Sequence, residues 1–149
     1  MSGKVEALWI KRAHRGVMDS TNSVTLIERK GIDTDANFGR SKRQVTVIEK
    51  EVFDRISAEF PEVEPSMRRA NVMVSGVRLE NTRDHILTLG EVEIHLYGET
   101  RPCERMDAQV QGLTEALDPN WNGGAYGVVL NDGEISVGDN VSITGPKPE

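Results

Sequence analysis

A single cysteine, Cys103, stands in a chain of 149 residues. One thiol cannot close an internal disulfide, and with no amino-terminal signal pattern the expected setting is the reducing cytoplasm. The three histidines, His14, His85 and His95, show none of the close spacings of a zinc finger or a zinc-protease helix. A bound metal is therefore expected to arrive with its own organic ligand. No apolar run is long enough to cross a bilayer, so no membrane partner is expected. Basic residues are outnumbered, 18 to 24, for a formal net charge of -6. That balance argues against phosphate-driven nucleic-acid binding and leaves small anions as partners. No cysteine set for an iron-sulfur cluster and no flavin or nicotinamide fingerprint occurs, so any redox chemistry needs electrons from outside. Internal repeats and low-complexity segments are also missing.

What is present has the composition of a globular protein, 37% hydrophobic and 28% charged, with 14 glycines marking turns. The length suits one domain over residues 1–149, with about 144–149 as a frayed tail. Strand character runs through residues 4–12, 24–29, 43–48, 72–77, 92–97, 128–130, 134–137 and 141–143, about seven or eight short strands. Within 92–97, Val92, Ile94 and Leu96 share one face, which puts His95 opposite with Glu93 and Tyr97 as an exposed or hydrogen-bonded side chain. Residues 19–23 and 31–39 read as polar loops. Val52, Phe53, Ile56 and Phe60 line one face of a main helix over 49–60, ended by Pro61, and 111–117 predicts a short helix. Asn131-Asp132-Gly133 between two apolar runs predicts a hairpin. The expected fold is mainly β: a closed or strongly bent barrel with one main and one short helix.

Cys103 follows the strand of 92–97 and lies between Arg101 and Arg105. Cationic neighbours lower a thiol's pKa and favour the thiolate, the form that attacks electrophiles and binds soft metals; a small buried apolar side chain is the competing reading. Pro102 biases Arg101 toward an extended conformation and ends the strand. Arg68-Arg69, at the entrance of the strand at 72, are solvated charges unless they face a phosphate, whose oxygens their forks match. Gly123-Gly124 allow close backbone approach and can offer amides to an anion, or serve an ordinary loop.

Taken in order, Gly31-Ile32-Asp33-Thr34-Asp35, Arg43-Gln44-Val45-Thr46, Arg69-Ala70-Asn71 with Val74-Ser75-Gly76-Val77, Arg101-Pro102-Cys103, Gly123-Gly124, and Gly133 through Asp139 resemble the MOSC domain. That module ends molybdenum-cofactor sulfurases and also occurs as small stand-alone proteins. Three positions depart from the family pattern: Asn37 stands where a histidine is common, Thr34 at the usual glycine, and Ala70 where an asparagine is usual. The resemblance implies a β-barrel whose Cys103 either ligates molybdenum in a pterin cofactor or carries a sulfane sulfur. It implies cofactor contacts from Asp35, Arg68, Arg69, Asn71, Arg101, Gly123 and Gly124. The activity it implies is reduction of N-hydroxylated small molecules with electrons from a partner protein; the alternative is a persulfide carrier or cofactor-delivery module served by a desulfurase. No pyridoxal phosphate domain fits in the chain.

Overall fold

The computed structural model describes residues 3–13, 18–61, 70–100, 121 and 123–145. Eleven strands and one helix are seen among them: β1 (Gly3–Lys11), β2 (Met18–Thr21), β3 (Ser23–Ile27), β4 (Gly31–Ile32), β5 (Val45–Glu49), α1 (Lys50–Glu59), β6 (Val72–Ser75), β7 (Ile86–Leu89), β8 (Val92–Glu99), β9 (Ala125–Val129), β10 (Gly133–Ser136) and β11 (Asn140–Thr144). Seven of them close a barrel in the order β1, β6, β5, β9, β8, β7, β11 and back to β1. Neighbours are antiparallel except β5 and β6, which run parallel because the chain between them returns through α1. Such a crossover is what a parallel pair requires. Closure hides the hydrogen-bonding edges that an open sheet would leave bare.

Alternation fills the interior. Val92, Ile94 and Leu96 on β8, Val45 and Val47 on β5, and Leu87 and Leu89 on β7 are buried in one core with Val5, Val72 and Val74. The small sheet β10-β3-β4 adds Val24, Leu26, Ile32 and Ile135 to it. Outside the barrel, Trp9, Ile48, Ala70 and Met73 form a second cluster with Phe53 of α1 against it. Val52 and Ile56 are the buried face of that helix, as the spacing predicts.

The structure corrects three local expectations. No hairpin joins β9 to β10: β10 pairs with β3, Gly133 opposite Leu26 and Ile135 opposite Val24, while β9 lies between β5 and β8. The turn residues serve other ties, since Asn131 accepts from Glu93 N (2.8 Å) and donates to Glu91 O (2.9 Å), and Asp132 accepts from Glu28 N (2.7 Å). Residues 18–21 form edge strand β2, Thr21 opposite Leu8 and Ser20 opposite Trp9, because the end of β1 offers a backbone partner that their polar side chains do not oppose. Residues 31–32, placed in a loop by their glycine and polar neighbours, pair with β3 as β4. The short helix expected at 111–117 lies outside the described residues.

Glu49 is the one buried carboxylate on β5, 4% exposed, and lies where the strand passes into α1. Its Oε2 accepts from Leu79 N at 3.2 Å, which anchors a fully buried leucine, and Oε1 lies 3.9 Å from Arg78 Nε. Burial pushes its pKa above the usual carboxylate range, with the Leu79 amide and Arg78 pulling it back. Between the ordinary and the raised value the folded chain keeps a proton that the unfolded chain has lost, so stability falls as pH rises through that window. Glu49→Gln keeps an oxygen for Leu79 N and cannot ionise. It is expected to melt above the wild type at pH 8 and level with it near pH 4; a difference independent of pH in thermal melts would contradict this.

Candidate functional site

Strand β5 organises the matched motifs, with β6 on one side and β9 on the other. Ahead of β6, Asn71 N donates to Thr46 O at 2.9 Å. Ahead of β9, Gly124 packs its backbone on Val47: a Cβ built there would lie 2.1 Å from Val47 O. Strand spacing sets Asn71 and Gly124 about 10 Å apart across β5. Thr100, just past β8, donates its amide to Gly124 O at 2.8 Å. Cys103 stands three positions beyond Thr100, and Arg69 two before Asn71.

A buried polar network fixes the loop before β5 to this point. Asp35 Oδ1 accepts from Lys11 N at 2.6 Å and from Asn71 Nδ2 at 2.9 Å, and Oδ2 accepts from Asn37 N at 2.9 Å. Asn71 Oδ1 accepts from Thr46 N (3.1 Å) and Thr46 Oγ1 (3.2 Å), and its Nδ2 also reaches Trp9 O at 3.3 Å. Gln44, 1% exposed, donates to Arg29 O and Arg40 O, both at 2.7 Å, and accepts from Val129 N. Ala36 N donates to Lys11 O at 2.8 Å. Buried polar atoms persist only when they are paired, and here the pairing ties four separate stretches of chain together.

Of the residues singled out from the sequence, the structure brings Asp35, Asn71 and Gly124 to β5, with Gly123 beside Gly124. Asp35 and Asn71 meet directly, and the oxygens and amide of their side chains are bonded within the chain. They hold the loop and the entrance of β6 in place. The Gly124 amide donates to Trp121 O at 2.9 Å, so what requires a glycine there is close packing and a φ of +95°. Cys103, Arg68, Arg69 and Arg101 lie outside the described residues.

Two of the family departures have local structural reasons. Asn37 donates through Nδ2 to Arg43 O at 3.1 Å and so closes the loop itself. The Ala70 methyl packs in the cluster with Trp9 and Ile48. Thr34, by contrast, is exposed and takes φ +72°, a left-handed conformation that strains a β-branched residue. Thr34→Gly is expected to raise stability by about 0.5–1 kcal/mol, the relief of that strain less the extra freedom of glycine in the unfolded chain. The shift would be read as a higher urea midpoint.

No individual role was legible for Thr100, or for Gln44 and Thr46 within the motif Arg43-Gln44-Val45-Thr46. Thr100 Oγ1 is a buried side-chain oxygen with no hydrogen-bond partner among the described residues. Its place, two residues from the glycine that interrupts β8 and directly against Gly124, was hidden in the sequence by the strand character around it. Thr46 and Gln44 stand in a motif at the start of a strand, with nothing in the sequence to show their partners.

A family model described as the MOSC domain matches residues 33–142. No curated protein matches the chain. Among solved structures, the YuaD protein from Bacillus subtilis is similar with a TM-score of 0.84 at 20% identity, covering 99% of this chain and 98% of that one. YiiM from Escherichia coli gives 0.72 at 17% identity over 100% of this chain and 72% of that one. YiiM from Geobacillus stearothermophilus gives 0.74 at 13% identity, over 95% and 75%. At these identities the likeness to solved structures is one of fold.

Proposed function

Because this chain belongs to the MOSC domain family, we propose that it binds the molybdenum cofactor and reduces N-hydroxylated compounds with electrons delivered by a partner protein. In this reading Cys103 is the metal ligand, its thiolate being a soft donor suited to molybdenum. Arg68, Arg69 and Arg101 meet the cofactor's phosphate, and Asp35 and Asn71 keep the surrounding loops in register. When bound, the group supplies two-electron redox chemistry. The chain's part is to seat it, orient the substrate and exclude water.

The observation that carries the reading is the unpartnered Thr100 hydroxyl. A buried hydroxyl without a hydrogen bond costs about 1–3 kcal/mol, and one left in that state among the described residues is a place where a ligand's polar group would be stabilised. It lies three positions from Cys103 and against Gly124, where the matched motifs converge on Thr46 and Val47. A polar ligand seated there would supply the missing bond, and that supports the reading.

Protein made in a host that produces the cofactor is expected to carry stoichiometric molybdenum and pterin, and Cys103→Ala to lose the metal. Thr100→Val is expected to lower molybdenum content while raising the melting temperature of the cofactor-free protein, since a methyl replaces an unsatisfied hydroxyl. Wild-type protein free of both molybdenum and pterin from such a host would overturn the proposal. A sulfur adduct on Cys103 in that protein, seen by mass spectrometry after incubation with a cysteine desulfurase, would move the assignment to a sulfur carrier.

A further inference from the structure

The outward row of β8 reads Glu93, His95, Tyr97, Glu99, the residues opposite in alternation to the buried Val92, Ile94 and Leu96. The His95 and Tyr97 rings stack with centroids 4.4 Å apart and planes 8° from parallel. Lys42 Nζ lies 6.0 Å from the Tyr97 centroid, and the Arg43 guanidinium carbon 4.9 Å from that of Tyr126. Arg83 Nη1 donates to Tyr97 O at 2.9 Å. Gly98 lies between, bare of side chain: a Cβ there would be 3.2 Å from Tyr126 Oη and 3.4 Å from Arg83 Nη1. Three exposed cations and three rings thus form one continuous surface on a chain of net charge -6.

Lys42, Arg43 and Arg83 have no carboxylate within ion-pair distance among the described residues. Asp84, a carboxylate within the patch, is bonded to His95 Nε2 at 2.9 Å. Cations stacked over rings are held in place, so little side-chain freedom is lost when an anion meets them. Arginine and tyrosine in contact are also the residue types that dominate binding energy at protein interfaces.

We propose that this face docks an acidic surface of a partner protein. The boundary of the patch decides the class of partner. Glu93 and Glu99 close it along β8 about 20 Å apart at the usual rise per residue, a span that fits a protein interface of standard size, about 800 Å² per partner. A duplex or an anionic bilayer continues past that span and meets the net negative charge of the rest of the chain. A compact acidic patch does not. The face also ends at Thr100, three positions before Cys103 in the sequence. Docking itself rests on the surface and not on the cofactor, although the role of the partner as electron donor rests on that function.

The test uses cofactor-free full-length protein and fluorescein-labelled oligoglutamate as the probe, followed by fluorescence polarisation. At low salt the wild type is expected to bind the probe, with affinity falling as salt is raised. The triple variant Lys42→Glu, Arg43→Glu, Arg83→Glu is expected to bind more than about tenfold more weakly, because like charges then face the probe. The control triple Lys4→Glu, Lys50→Glu, Arg55→Glu makes the same change of net charge away from the patch and is expected to bind within about twofold of the wild type, since screening makes the effect local. The milder Lys42→Gln, Arg43→Gln pair leaves the Arg83 bond to Tyr97 in place and is expected to fall between them. Equal losses in both triple variants would overturn the proposal, as would wild-type binding to duplex DNA or phosphatidylserine vesicles as tight as to oligoglutamate. Loss of molybdenum binding in separate experiments would leave this result standing and remove only the partner's redox role.

Discussion

Gly124→Ala is expected to lose about 2–5 kcal/mol of folding stability, the sum of about 1–2 for a left-handed backbone in a residue with a Cβ and about 1–3 for overpacking. The backbone at this position takes φ +95°, and the new methyl would lie 2.1 Å from Val47 O and 3.0 Å from Ile48 Cγ2. The obstruction is a carbonyl in the middle of the barrel wall, not the end of a side chain that can turn away. Relief requires β9 to withdraw from β5, which breaks the pairing of Val47 with Ala125. A drop in the urea midpoint is the expected result. A variant as stable as the wild type would show that the close approach to Val47 is not needed.

The second large effect is expected at Asp35. Removing its carboxylate by Asp35→Ala strips acceptors from Lys11 N, Asn37 N and Asn71 Nδ2 at once, and each buried donor left alone costs about 1–3 kcal/mol. Partial relaxation reduces the sum, and a loss of about 3 kcal/mol or more is expected in equilibrium denaturation. Asp35→Asn tests the chemistry separately, because it keeps one oxygen but turns an N–H group toward backbone donors. It is expected to lose less than alanine and more than about 1 kcal/mol. If alanine and asparagine both unfold at the wild-type midpoint, the network does not hold the loop.

Strong alternation made much of the barrel legible. Val92, Ile94 and Leu96 announce β8 because one face of that strand is entirely core, and Val52 with Ile56 announces the buried side of α1. The misread hairpin shows the limit of local signals. Asn131-Asp132-Gly133 has the chemistry of a turn, but β10 finds its partner in β3, more than a hundred residues earlier, where Val24 and Leu26 complete the core that Ile135 enters. No spacing rule within the turn reports that partner. The contact of Asp35 with Asn71 is hidden in the same way: only the order of motifs brought the two to notice, and nothing in the sequence shows that they bond to each other. Glu49 read as the first residue of a helix, although its carboxylate is enclosed beneath the stretch around Leu79. Thr100 gave no sign at all, since a threonine after a strand is ordinary and its missing hydrogen bond exists only in three dimensions.

The seam between β1 and β11 sets the order in which the chain can finish folding. Gly3 pairs with Val141 and Lys4 with Asn140, and the bonds Val5 N to Asp139 O and Gly138 N to Val5 O extend the same junction. Almost the whole described length separates the two sides of that join, so the entropy of closing so long a loop must be met before these contacts return anything. High contact order of this kind goes with folding times of milliseconds to seconds. During synthesis β1 emerges before β11, and its edge, with that of β7, waits for β11 to leave the ribosome. Until then the nascent chain has two open strand edges beside an unfinished apolar core, and that is the interval in which chaperones or aggregation would meet it.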